Sequence, residues 1–177
     1  MTDASGYQFD QFMLWYKQAG TPVIQAKGQF DAETGTYILE LKQNNRRQHD
    51  GQRQNPFSMP LQVGFIDGDN GPVKTDIIGK TMGQQLTHTL MIDNETTEVC
   101  FSGFKTDGSV PIISLNREFS APVIVEVERT HEDLSSLIAH DPDSFVRWDS
   151  MQELTMELLL GEISGERNEA NISAYEK

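Results

Sequence analysis

The hydrophobic period of this chain changes twice along its length, and those two changes limit the folds open to it. Phe9, Phe12, Met13 and Tyr16 fall at the spacing of one helical face, with Trp15 widening the stripe. Gly20 and Pro22 then stop the pattern, one as a C-terminal cap and the other as a breaker. From Pro22 to Arg129 the period becomes two. Tyr37, Leu39 and Leu41 alternate with Ile38, Glu40 and Lys42; Leu61, Val63 and Phe65 form a second set; Leu86, His88, Leu90 and Ile92 a third; Val123, Val125 and Val127 a last one. Turn signals at Asp31–Gly35, Asp67–Gly71 and Asp107-Gly108 separate the runs. This predicts about seven short strands, near 22–27, 36–43, 60–67, 73–78, 86–92, 97–101 and 121–129. No helical pattern intervenes, so parallel βαβ units are disfavoured and an antiparallel β-sandwich is the expected core. After Arg129 the helical period returns. Thr130 with Asp133 can cap a short helix bearing Leu134, Leu137 and Ile138. Asp141-Pro142 reads as the opening of another, with Trp148, Met151, Leu154 and Leu158 as its stripe and Gly161 as its end.

Charge narrows the function classes. Fourteen Lys and Arg against 27 Asp and Glu give a net charge of −13, a field that repels phosphate backbones and argues against nucleic-acid binding. Eleven of those acids but only three of the bases fall in residues 131–177, so much of the excess belongs to the C-terminal stretch. The one cysteine, Cys100, excludes an internal disulfide framework. No apolar run approaches the ~20 residues of a bilayer span, and no basic segment followed by an apolar one opens the chain.

Motifs that imitate chemistry fail on spacing. His131-Glu132 looks like the start of H-E-x-x-H, but position 135 is Ser and the next histidine, His140, lies across the helix. Asp67-Gly68-Asp69-Asn70-Gly71 resembles a calcium loop, yet Pro72 and Ile78 occupy its sixth and twelfth positions; an Asx/Gly turn explains the residues better. Gly79-Lys80-Thr81 lacks the first glycine of a P-loop, since position 74 is Lys. Cys100 between Val99 and Phe101 reads as a small inert strand residue, and His88 as a satisfied core histidine. Arg46, Arg47 and Arg53 form a small basic patch in a polar loop without stacking aromatics. Taken alone, the residues describe a scaffold or binding module.

Several of these segments also resemble one family. Phe12-Met-Leu-Trp15-Tyr16-Lys-Gln18-Ala-Gly20-Thr-Pro22 resembles the segment that closes the catalytic domain of the bacterial aminopeptidase N (alanyl aminopeptidase) family. Tyr37–Gln43, Pro60–Asp67 and Glu118–Val123 resemble strands of the Ig-like domain that follows it. His140 with Asp143-Ser-Phe145-Val-Arg147-Trp148-Asp149 resembles the opening of the family's C-terminal helical domain. The matches occur in the family's order over about residues 9–160. The resemblance implies an internal, non-catalytic piece of a cytoplasmic zinc exopeptidase, a hydrolase that removes N-terminal residues from peptides. It implies an Ig-like antiparallel sandwich with one helix before it and two after it. The implied division is residues 1–20 (end of the catalytic domain), 21–129 (sandwich), 130–161 (start of the helical domain) and 162–177 (polar tail). The family's zinc site and amine-binding motif are not in these residues, so no catalytic, metal or substrate-binding residue is carried over and zinc belongs to the parent enzyme only. The implied partners are the catalytic and C-terminal helical domains of the same parent, with peptides as the parent's substrates. Phe9, Phe12, Met13, Trp15, Trp148, Met151 and Leu158 are candidate interdomain contacts, with their helices as docking elements; the alternative is that these stripes simply pack on the sandwich. The alternative is a free-standing Ig-like module that binds a protein or peptide through an edge strand.

Overall fold

A computed structural model describes residues 10–44, 54–81, 83–106 and 109–164. Phe9, the patch of Arg46, Arg47 and Arg53, and the stretch beyond Ser164 lie outside the described residues.

Two sheets face each other. The first has five strands in the order β5-β7-β2-β1-β9: β1 (Val23–Asp31), β2 (Thr36–Asn44), β5 (Asp76–Ile77), β7 (Thr96–Ser102) and β9 (Ile124–Val127). The second contains β3 (Met59–Ile66), β4 (Pro72–Val73), β6 (Thr87–Ile92) and β8 (Ile112–Leu115), with β3 at its centre. The alternation in β2 is the reason it holds its register. Tyr37, Leu39, Leu41 and Gln43 are buried, the residues between them exposed, and a slip of one residue would turn every apolar side chain to solvent. Ile24, Leu39, Leu41, Leu61, Val63, Phe65, Leu90, Ile92 and Phe101 fill the space between the sheets. Phe65 makes edge-on contacts with Tyr37, Phe101 and Phe104 at 4.9–5.0 Å between ring centres, which fixes the middle of the core.

The sandwich expectation therefore holds, with corrections. The described residues form nine strands rather than about seven. The run expected at 73–78 is two short strands, split at Lys74-Thr75. Strand β8 was not expected, because Ile113, Ser114 and Leu115 are all buried and no alternation marks them. Strand β9 runs parallel to β1, against an all-antiparallel expectation. It reaches the first sheet by crossing from β8 in the second, so no hairpin forces the opposite direction.

The flanking helices also differ from expectation. The helix expected over 1–20 is, among the described residues, a single turn, α1 (Leu14–Lys17). One turn cannot sustain a stripe: Leu14 and Trp15 pack on the sandwich, while Phe12, Met13 and Tyr16 point outward. At the other end, α2 (His131–His140) starts as expected, with a capping box in which Thr130 and Asp133 exchange side-chain-to-backbone bonds. The next helix, α3 (Ser144–Ser164), opens later than Asp141-Pro142 and runs through Gly161. Its cap is Asp143, whose Oδ1 accepts from the Val146 N–H at 2.9 Å, because Asp141 is engaged elsewhere. Ile66, Leu137 and Val146, with Ile112 beside them, form a small second core that seats α2 and α3 on the second sheet.

Candidate functional site

Beneath the helix pair lies an arginine with no route to solvent. Arg117 follows β8 and is 1% exposed. Its Nε donates to Ser114 Oγ at 2.8 Å, and its Nη1 to Leu86 O at 2.6 Å and Thr87 Oγ1 at 2.9 Å. Its Nη2 reaches Asp141 Oδ2 at 3.1 Å, and the two side chains are 2% and 0% exposed. Asp141 ends α2, so a sandwich residue and a helix-pair residue share one buried ion pair. Removing either partner of such a pair strands a charge and costs about 3–5 kcal/mol. Asp141 is further held by the Asp143 N–H at its Oδ1, 2.8 Å away.

The backbone is bent to serve this pair. Asn116, Glu118 and Phe119 all adopt positive φ (58°, 57° and 50°), a left-handed geometry that costs non-glycine residues about 1–2 kcal/mol each. The Asn116 amide offsets part of that cost. Its Oδ1 accepts from the Ala121 N–H at 2.9 Å and from Ser120 Oγ at 3.2 Å, and its Nδ2 donates to Ala121 O at 3.1 Å. The Glu118 N–H donates to Asp143 Oδ2 at 3.0 Å, a second strut from the turn to the helix pair. Gly64 of β3 completes the seat: a Cβ there would lie 2.0 Å from Arg117 Nη1.

The N-terminal segment is tied on by a different device. Trp15 Nε1 donates to Ser58 O at 3.0 Å, and its ring packs on Phe57 at 4.5 Å. Gln11 Nε2 donates to Pro56 O at 3.1 Å and also to Asp93 O. Gln18 and Asn55 exchange bonds of 3.0 and 2.8 Å, and Gln54 Nε2 donates to Ala19 O at 2.8 Å. Buried Gln43 holds Phe57 from behind through both its amide atoms.

The residues expected to make interdomain contacts are thus divided. Trp15 is half-buried against this chain's own sandwich, and Leu158 is half-buried on the helix pair. Phe12, Met13, Trp148 and Met151 face outward, Trp148 with 57% of its surface exposed. Trp148 continues an aromatic row through Phe145 to Phe119, at centroid spacings of 5.9 and 5.1 Å. Met156, Leu159, Leu160 and Ile163 are also exposed farther along α3. Sequence reasoning missed Arg117, Gly64 and Asp141 as a unit. The only signal was a charged residue two positions after the run Ile112-Ile113-Ser114-Leu115.

The remaining candidates resolve simply. His88 is buried with its Nε2 2.9 Å from Thr75 O, while its Nδ1 has no partner among the described residues; burial lowers its pKa. Asp67 Oδ2 is met by Lys105 Nζ at 2.9 Å. His131 Nε2 pairs with Glu157 Oε2 at 2.8 Å. Among the described residues no three His, Cys, Asp or Glu side chains gather into a set that could hold a metal ion. No helix of the described residues is long and apolar enough to cross a membrane.

Residues 20–128 match the family described as a domain of unknown function (DUF3458) with an Ig-like fold. The chain belongs to this family. The DUF3458 match is followed over residues 131–177 by its companion, DUF3458_C, described as ARM repeats. The chain is homologous to aminopeptidase N. It is 29% identical over 162 residues to aminopeptidase N of Escherichia coli strain K12, covering 87% of this chain and 17% of that protein. It is 30% identical over 154 residues to the Haemophilus influenzae protein, covering 87% and 17%. With aminopeptidase N of Caulobacter vibrioides the identity is 28% over 173 residues, covering 98% of this chain and 18% of that one. In structure, the DUF3458 chain is similar to Legionella pneumophila aminopeptidase A, solved in complex with aspartic acid. The TM-score is 0.71 and the identity 22%, over 98% of this chain and 18% of that one, a likeness of fold. The chain therefore spans less than a fifth of the length of these relatives.

Proposed function

We propose that this chain is the structural bridge of a zinc aminopeptidase, holding a catalytic part and a C-terminal helical part in fixed relative placement. On this reading residues 1–20 and 130–161 are the ends of the neighbouring domains, 21–129 is the bridge, and 162–177 is a polar tail or linker. The enzyme would be cytoplasmic, as the family resemblance implies. The observation that carries the reading is that both flanks are fastened to the sandwich by polar contacts: the buried pair of Arg117 with Asp141 on one side, the half-buried bond of Trp15 to Ser58 on the other. Each fastened flank still turns an apolar face outward: Phe12, Met13 and Tyr16 on one, Trp148, Met151 and Leu159 on the other. ARM repeats stack helix pairs on one another, so a helix pair left uncovered among the described residues of such a match calls for a next repeat. A peptidase assembled from separate domains needs that placement set in advance. The chain alone would not hydrolyse peptides.

The test uses a full-length aminopeptidase polypeptide carrying this stretch. Trp148→Asp with Met151→Asp should lower kcat/KM on an alanyl substrate by about tenfold or more, with zinc content unchanged. The same pair in the 177-residue chain should leave it folded and cost only about 1–2 kcal/mol, from aspartate in a helix interior and the lost Trp148–Phe145 ring contact. Unchanged activity in the full-length protein would remove the docking role.

A further inference from the structure

The first sheet contains a fork. Strand β9 pairs with β1 only over Val23–Ala26. Beyond Ala26, β1 continues to Asp31 bonded to β2 on one side, and among the described residues no strand pairs with its other edge. The chain after Val127 meanwhile turns away through Glu128 and Arg129 into α2. A cleft of about 1030 Å³ opens in the fork, with residues 25–28 and 125–129 along its arms and 110–113 opposite. The Tyr37 ring forms part of the floor and lies so close under Gly28 that a Cβ there would be 1.8 Å from Tyr37 Oη. Position 28 must therefore stay bare, because the Tyr37 hydroxyl occupies the space a side chain would take.

The charge around this edge is one-sided. Glu126 and Glu128 stand on one arm, and Asp133 and Glu153 reach in from the helices. Against them are Lys27 and Arg129, and Arg129 is already tied to Glu153 at 3.0 Å. We propose that this cleft receives an extended, lysine- or arginine-bearing peptide segment, which adds a strand to the free edge of β1 at Lys27–Asp31 in line with β9. Main-chain bonds to the edge supply the affinity, and alternate basic side chains meeting Glu126 and Glu128 select the sequence and its direction. This site is distinct from the faces of the bridging role and stands without it.

The test is a titration of the 177-residue chain with an alternating Lys-Val peptide, read by NMR shifts and fluorescence anisotropy, with the alternating Glu-Val peptide as control. The Lys-Val peptide should shift the amides of Lys27–Phe30 and bind more weakly in high salt, by on the order of tenfold between low and physiological ionic strength. The Glu-Val peptide should not bind. Glu126→Lys with Glu128→Lys, both exposed, should weaken binding at least about tenfold with an unchanged melting temperature. The proposal is overturned by no binding at millimolar peptide, by shifts centred on the β5 edge or the α3 face, or by equal binding of either peptide or of the charge-reversed chain.

Discussion

Gly64→Ala is the sharpest perturbation of the joint. Gly64 has an ordinary negative-φ strand backbone, so alanine is allowed there conformationally. The obstacle is the guanidinium: the new methyl would lie 2.0 Å from Nη1, 2.1 Å from Cζ and 2.6 Å from Nη2 of Arg117. Ordinary carbon contacts need about 3.5–4.0 Å, so the group must retreat by more than about 1 Å. That retreat breaks both Nη1 bonds and the Nη2 bond to Asp141, which remains buried. The cost approaches that of breaking a buried pair, about 3–5 kcal/mol, less the ~0.5–1 kcal/mol that alanine gains over glycine in a strand. A net loss of about 3 kcal/mol is expected. Arg117→Ala should cost about 3–5 kcal/mol by the same stranding of Asp141. The two losses must not add. Once the guanidinium is gone, the Gly64→Ala methyl fills vacated space, and its own effect should turn from a loss into a gain of up to about 0.5–1 kcal/mol. Equilibrium urea unfolding of the four chains, followed by far-ultraviolet circular dichroism, gives the cycle. Additivity within about 0.5 kcal/mol would refute the reading that Gly64 is kept bare for Arg117.

Three further outcomes follow from the same structure. Burial, helped by the charge of Asp133, pushes the Tyr37 hydroxyl up to about 12 from 10.0. Its contribution to stability is therefore intact below pH 10 and lost between about pH 10 and 12, amounting to roughly 3 kcal/mol, so one tyrosine should titrate late by tyrosinate absorbance and Tyr37→Phe should abolish that share of the alkaline loss. The pKa of His88 is lowered by burial, so its contribution is present above about pH 6.5 and lost as pH falls below it, with a slope of at most ~1.4 kcal/mol per pH unit; in His88→Gln that slope should vanish from a stability-against-pH series. Trp15→Phe removes the bond to Ser58 O while keeping most of the ring packing on Phe57, and should cost about 1 kcal/mol in urea unfolding.

What the sequence revealed, and what it hid, has a physical pattern. Strands with one wet face, such as β2 and β6, announce themselves by alternation, because the dry face must be apolar and the wet face need not be. Strand β8 has no wet face and reads as an unremarkable apolar run. The capping box at Thr130 and Asp133 was legible because both partners lie within one turn. The Arg117–Asp141 pair spans 24 positions and depends on a bare glycine in a third element, a coincidence no local pattern carries. For the same reason the sequence left open whether Trp15 faces a neighbouring domain or this chain's own sandwich: its partners, Phe57 and Ser58, lie more than 40 positions away, and they hold the ring inward while Phe12 and Tyr16 turn out.

The central claim is that the helix pair is held rigidly on the sandwich, as a bridge requires. Spin labels at Glu40→Cys on β2 and Met156→Cys on α3, both exposed positions, would measure it directly in a chain whose Cys100 is replaced by Ser. Double electron–electron resonance should give one narrow distance distribution, which Arg117→Ala should broaden. A broad distribution in the chain with Arg117 intact would contradict the account.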